Sequence, residues 1–136
     1  VPAVPVTAEG ARILLLDNDV PRLSGLTRVL RDFGFRVHGV ATPAAFFEAL
    51  KTEERPDLII ADQQLNDGAL GLEVMVELRD RGFAMPVIMI SADDSPQLRQ
   101  DIREQGFRFM AKPIDALRMR GLVEALVHNE PLDTGV

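Results

Sequence analysis

Short, nearly unbroken apolar runs alternate with longer segments of helical period along this chain. Ile13-Leu-Leu-Leu-Asp17, Leu58-Ile-Ile-Ala-Asp62, Val87-Ile-Met-Ile-Ser91 and Phe107-Arg-Phe-Met-Ala-Lys112 each stop on a polar side chain. Continuous apolar runs of this length read as strands buried on both faces, the condition of a parallel sheet. With a shorter run at Arg36–Val40, the expected strands lie near 12–16, 36–40, 57–61, 86–90 and 107–111. Between them, Leu23, Leu26, Leu30 and Phe33 recur at helical spacing, and Gly34 ends that segment. Thr42-Pro43 and Ser95-Pro96 read as helix starts, with a hydroxyl cap and proline in the first turn. Phe46, Phe47 and Leu50 supply the buried face of the second helix, and Leu72 to Arg81 forms the third. The helix behind Ser95-Pro96 has chiefly Leu98 and Ile102 to bury, so its packing stripe is thin. A last helix runs from Ile114 to His128, with Leu117, Leu122, Ala125 and Leu126 expected to face inward.

The order β-α, five times over, predicts an α/β domain: a doubly wound, five-stranded parallel sheet with helices on both faces. Residues 1–10 mix proline with small residues and read as linker. The domain then covers 11–128, and 129–136 is a polar tail. A chain beginning at Val1 is expected to be a fragment of a longer protein.

Composition narrows the function. The 136 residues fit one core. With no cysteine, a disulfide scaffold, a zinc–thiolate site and a cysteine nucleophile are excluded. A net charge of −6 argues against nucleic acid or an anionic membrane as a direct partner. No apolar run reaches the length of a membrane span, and no signal peptide is evident. The expectation is a cytoplasmic domain without direct membrane contact.

The chemistry lies at the strand ends. In an open parallel sheet the carboxyl ends of the strands share one edge, where ligands bind. Asp17, Asp62, Ser91 and Lys112 would meet there. Two carboxylates, a hydroxyl and an ammonium suit a divalent cation and a phosphoryl group. Asp19, followed by Pro21, suits a helix cap. Asp62 does not, because the next helix begins well downstream.

Leu16-Asp17-Asn18-Asp19, Asp62-Gln-Gln-Leu65, Ser91-Ala92 and Lys112-Pro113 together resemble the signature of receiver domains of two-component signalling. The resemblance covers about residues 11–128 and implies a CheY-like, flavodoxin-like (βα)5 fold with strand order 2-1-3-4-5. It implies that Asp62 accepts a phosphoryl group from a phosphohistidine, and that the domain catalyses its own phosphorylation and dephosphorylation. It further implies Mg²⁺ held by Asp17, Asp62 and the main-chain carbonyl of Gln64. Ser91, the Ala92 main chain and Lys112 would contact the phosphoryl oxygens. The Lys112–Pro113 peptide would be cis, and Ser91 and Phe109 would form a switch pair. The implied partner is a histidine kinase or histidine phosphotransfer domain, with no organic cofactor.

The departures matter. Most receivers carry two adjacent acids after the first strand; here the second is Asn18, which offers a carbonyl oxygen but no charge. A unit charge about 4 Å away is worth up to roughly 4 kcal/mol at an effective dielectric of 20, before desolvation offsets it. Mg²⁺ is therefore expected to bind more weakly unless Asp19 compensates. Asn66 stands where proline is usual, and the loop to Gly71 is one residue longer than common. Phe109 replaces the usual tyrosine. The Asp-Asn pair, the Asn66–Gly71 loop and Ile90-Ser-Ala-Asp93 are similar to receivers at the C-terminal end of hybrid sensor histidine kinases. Two alternatives stay open: a stand-alone response regulator, and a receiver-like interaction module that does not use phosphate. A flavin-binding flavodoxin is disfavoured, since the chain lacks Tyr, Trp and a glycine-rich phosphate loop. Neither His38 nor His128 is placed as a phosphodonor.

Overall fold

The computed structural model describes residues 9–52, 54–65 and 68–128. The strands are β1 (Arg12–Leu16), β2 (Arg36–Val40), β3 (Leu58–Asp62), β4 (Val87–Ser91) and β5 (Arg108–Ala111). They form one parallel sheet in the order β2-β1-β3-β4-β5. The helices are α1 (Val20–Asp32), α2 (Pro43–Ala49), α3 (Gly71–Asp80), α4 (Pro96–Glu104) and α5 (Ala116–Val127). The linker assigned to 1–10 and the tail assigned to 129–136 fall almost wholly outside the described residues.

Alternate residues of one strand point to opposite faces, so each apolar run serves two cores. Leu14, Leu16, Ile59, Ala61, Val87 and Met89 pack with residues of α2, α3 and α4. Ile13, Leu15, Leu58, Ile60, Ile88 and Ile90 pack with α1 and α5. This two-sided burial is why the strands read as continuous runs. Gly34 ends α1 as expected: at φ +99° it takes a conformation strained for other residues. Its N–H donates to the Arg31 carbonyl (2.9 Å), and the Phe35 N–H donates to Leu30 (3.2 Å).

The last helix turns Leu122 and Leu126 inward as expected, but not Leu117 and Ala125. Leu117 is 70% exposed and Ala125 is exposed, while Met119 and Val123 are buried. The start of the helix also differs. The carboxylate of Asp115 accepts from the N–H groups of Leu117 and Arg118, so the helix starts at Ala116 rather than Ile114. Its inward stripe is Met119, Leu122, Val123 and Leu126, and Leu117 lies about 200° around the helix from Met119. Strands β3 and β4 also end one residue later than expected, which places Asp62 and Ser91 as their last residues.

Candidate functional site

Ladder hydrogen bonds set the polar strand ends. The N–H of Asp17 donates to the Val40 carbonyl (3.1 Å), that of Gln63 to Ile90 (2.9 Å), and that of Lys112 to Ser91 (2.9 Å). Asp62 pairs with Ile90 in the β3–β4 register, and Ser91 with Ala111 in β4–β5. The four side chains singled out from the sequence thus stand at the carboxyl edge of the sheet, each at the end of its own strand. Asp17, Asp62 and Ser91 are fully buried.

Lys112 reaches across this edge, its Nζ donating to Asp62 Oδ2 at 3.0 Å. The Lys112–Pro113 peptide is cis. Asp62 Oδ1 accepts the N–H of Gln64 at a longer 3.2 Å. The Ser91 hydroxyl accepts the Asp93 N–H (2.9 Å) and keeps its own proton for donation. Ala92 is exposed in the loop that follows. Phe109 is half-buried two residues before Ala111, with the Arg99 guanidinium 4.7 Å above its ring. Asn18 is half-buried in the turn after β1. Of the Asn66–Gly71 loop, Asn66 and Asp67 lie outside the described residues.

Asp19 is taken up at the start of α1. Its Oδ1 accepts the Arg22 N–H at 3.0 Å, the cap that Pro21 foreshadowed. The start of α3 is capped from a distance. Leu70 has no polar side chain to offer, and the buried Gln63 supplies it instead: its Oε1 accepts the Leu72 N–H at 2.8 Å. Gly71 is needed for close approach. A Cβ there would lie 2.1 Å from the main-chain oxygen of Asp62. The α3 N-terminus therefore presses directly on the backbone of the site.

Arg22 is the site residue that reading the sequence missed. Its Nε donates to Asp17 Oδ2 at 2.6 Å, and its Nη2 donates to Asp17 Oδ1 at 3.1 Å and to Asp62 Oδ2 at 2.6 Å. Nη1 stands 3.5 Å from Asp19 Oδ2. The guanidinium is held well above its usual basicity, chiefly by the hydrogen bond with Asp17, against the opposing cost of burial. The signal was available: once Asp19 is the cap, Arg22 is the third helical residue. Helical side chains lean toward the N-terminus, and this one leans over the strand ends.

The sequence matches the response regulator receiver domain over residues 13–124. The chain belongs to the response regulator receiver family. Among curated relatives, it is 36% identical over 120 residues to the transcriptional regulatory protein PrrA of Mycobacterium tuberculosis, covering 85% of this chain and 49% of that protein. It is 30% identical over 120 residues to the uncharacterized transcriptional regulatory protein YbdJ of Bacillus subtilis, covering 85% of this chain and 52% of that one. The chain thus spans about half the length of these relatives. A CheY-like receiver domain from Methanospirillum hungatei superposes with a TM-score of 0.80 at 21% identity, covering 93% of this chain and all of that one. That likeness shows the fold, with the strand order the resemblance implied.

Receiver domains generally use Mg²⁺ for phosphorylation. The donors in this receiver fit a hard cation: two buried carboxylates converge on a single guanidinium, with Gln64 two residues beyond Asp62. The set is short. Among the described residues no cluster of three or more Asp, Glu, His or Cys side chains gathers, since position 18 is Asn and Asp19 is used at the helix start. No helix among the described residues is long and apolar enough to cross a membrane.

Proposed function

We propose that this receiver takes a phosphoryl group from a phosphohistidine of a histidine kinase or phosphotransfer domain onto Asp62. The observation that carries the reading is the Asp62–Lys112 pair at 3.0 Å, beside buried Asp17, on one sheet edge. A carboxylate oxygen of Asp62 forms the P–O bond as the P–N bond to the donor imidazole breaks. Oδ2 is held by two cationic donors, whereas Oδ1 accepts one main-chain N–H. Oδ1 is therefore the better placed nucleophile. Lys112, the Ser91 hydroxyl and the Ala92 N–H are the donors for the phosphoryl oxygens, over which the transferring charge spreads. Asp17, Asp62 and the Gln64 carbonyl would hold Mg²⁺, which supplies neutralisation of the charge between carboxylate and phosphate. Ser91, drawn toward the phosphoryl group, would free space for Phe109 to move, biasing the face formed by α4, β5 and α5.

The whole protein is inferred to be a cytoplasmic response regulator. Its matched relatives carry the name transcriptional regulatory protein, which favours the stand-alone regulator over the hybrid-kinase context. The acidic charge of this segment says nothing against nucleic acid binding elsewhere in such a protein. Incubation with acetyl phosphate and MgCl2, followed by intact mass and peptide mapping, tests the reading. One phosphoryl group at Asp62 is expected, lost in Asp62→Ala; labelling of that variant at wild-type extent overturns it.

A further inference from the structure

Asp17 and Asp62 bring two negative charges to the site, and Arg22 and Lys112 bring two positive ones. These four groups balance before any metal arrives, and Asp19, 3.5 Å from Arg22 at the exposed rim, adds one further negative charge. Asn18 adds no charge to that count. A divalent ion entering between Asp17 and Asp62 meets the same oxygens that Arg22 already holds, in bonds of 2.6 Å. It would leave the cluster, Asp19 included, with a net positive charge unless Arg22 leaves.

The placement of Arg22 is also unfavourable for its helix. A cation in the first turn opposes the positive end of the helix macrodipole. Within the first turn of α1 no acidic residue offsets it, and the N-cap Asp19 faces it only from 3.5 Å. The compensation comes from the two buried carboxylates, through a fork of charge-assisted hydrogen bonds. Access points the same way. Both Asp17 and Asp62 are fully buried, while the Arg22 side chain, at 34% exposed, is the more open of the two cations and Lys112 is 17% exposed. Of the two cations on Asp62 Oδ2, Arg22 is the one that also holds Asp17, so its partners are those an ion between the two carboxylates would take.

We propose that Arg22 is the resident counter-cation of this site and competes directly with Mg²⁺ for Asp17 and Asp62. Metal binding is then an exchange: Mg²⁺ takes the carboxylate oxygens as the guanidinium swings into solvent. This deepens the phosphoacceptor reading and rests on it for its biological sense, but its test needs no phosphorylation.

The probe is Mg²⁺ alone, titrated into the wild-type chain, Arg22→Met and Arg22→Lys by calorimetry. Removing the competitor is expected to tighten Mg²⁺ about tenfold in Arg22→Met, or about 1.4 kcal/mol. Arg22→Lys, which keeps the charge but loses the fork, should fall between. Affinity in Arg22→Met equal to or weaker than wild type, or no binding in either, overturns the proposal. A second measurement does not depend on the variants folding. In metal-free wild type the Arg22 Nε–H should give a protected NMR resonance, absent from the Arg22→Lys spectrum where that variant folds. The resonance should vanish as Mg²⁺ saturates the chain, and its persistence at saturation overturns the exchange. Failure of acetyl phosphate to label Asp62, with the tenfold difference intact, would instead remove the phosphoacceptor reading and leave the exchange standing.

Discussion

Helices α3 and α4 follow neighbouring strands and pack on the same side of the sheet, yet they are held very differently. In α3, Gly71, Val74, Met75 and Leu78 are buried, and Gln63 caps its start from within the site. In α4, Ile102 is the one buried residue among those described, and Leu98 adds a half-buried contact. Most helical stability in a folded domain comes from packing an apolar face. So α3 is the firmly docked wall that presses on the Asp62 backbone, and α4 is the more weakly held of the two. The groove of about 540 Å³ between α4, β5 and α5 is lined by Arg99, Arg103, Arg108 and Arg118. An acidic chain thus turns a basic face outward beside the weakly held α4.

The comparison breaks most easily at the core. Leu78→Ala removes a fully buried side chain from α3 and should cost about 3–5 kcal/mol, whereas Leu98→Ala on α4 should cost about 1 kcal/mol. Urea unfolding of the two variants decides the matter, and equal costs would mean that α4 is docked as firmly as α3. A sharper version acts at Gly71. Since a Cβ there meets the Asp62 carbonyl oxygen at 2.1 Å, and that atom is backbone, Gly71→Ala cannot be relieved by a rotamer change. A loss of about 1–3 kcal/mol is expected, with amide shifts concentrated at Asp62 and Gln63. Wild-type stability in that variant would show that α3 does not bear on the site.

What could be read from the sequence follows the same division. Strand ends were legible because an apolar run that halts on Asp, Ser or Lys marks both a boundary and a direction. That placed Asp17, Asp62, Ser91 and Lys112 on one edge. The thin stripe of α4 was legible from its composition. The inner face of α5 was legible only in part: Leu122 and Leu126 lie on it, but Leu117, about 200° around the helix from Met119, looked like a core residue on its hydrophobicity alone, and Ile114 looked helical although Asp115 is the cap. Arg22 was hidden for a different reason. An arginine in a first turn reads as a solvated charge, and the pairing partner Asp62 lies forty residues away. Only the fold brings the two together. Gln63 was hidden likewise: its role as a cap depends on where α3 begins, not on its own neighbours.

The smallest predicted effect tests whether α4 moves independently. The Arg99 guanidinium lies 4.7 Å above the Phe109 ring, and its Nε donates to the Asp94 carbonyl at 3.1 Å. Arg99 therefore ties α4 both to β5 and to the loop that follows Ser91. A cation–π contact of this exposed kind contributes roughly 0.5–1 kcal/mol. Against the whole domain that is slight, but α4 has few other contacts to hold it. Local opening free energies can be far below the global value where buried contacts are sparse. Arg99→Ala should therefore lower hydrogen-exchange protection in residues 96–104 by about twofold to fivefold, the equivalent of that energy, and leave residues 71–80 unchanged. It should also broaden or shift the Phe109 ring resonances as the ring loses its cover. An equal loss of protection in α3 would show that the two helices open together, and the contrast between a firmly docked helix and a weakly held one would not hold.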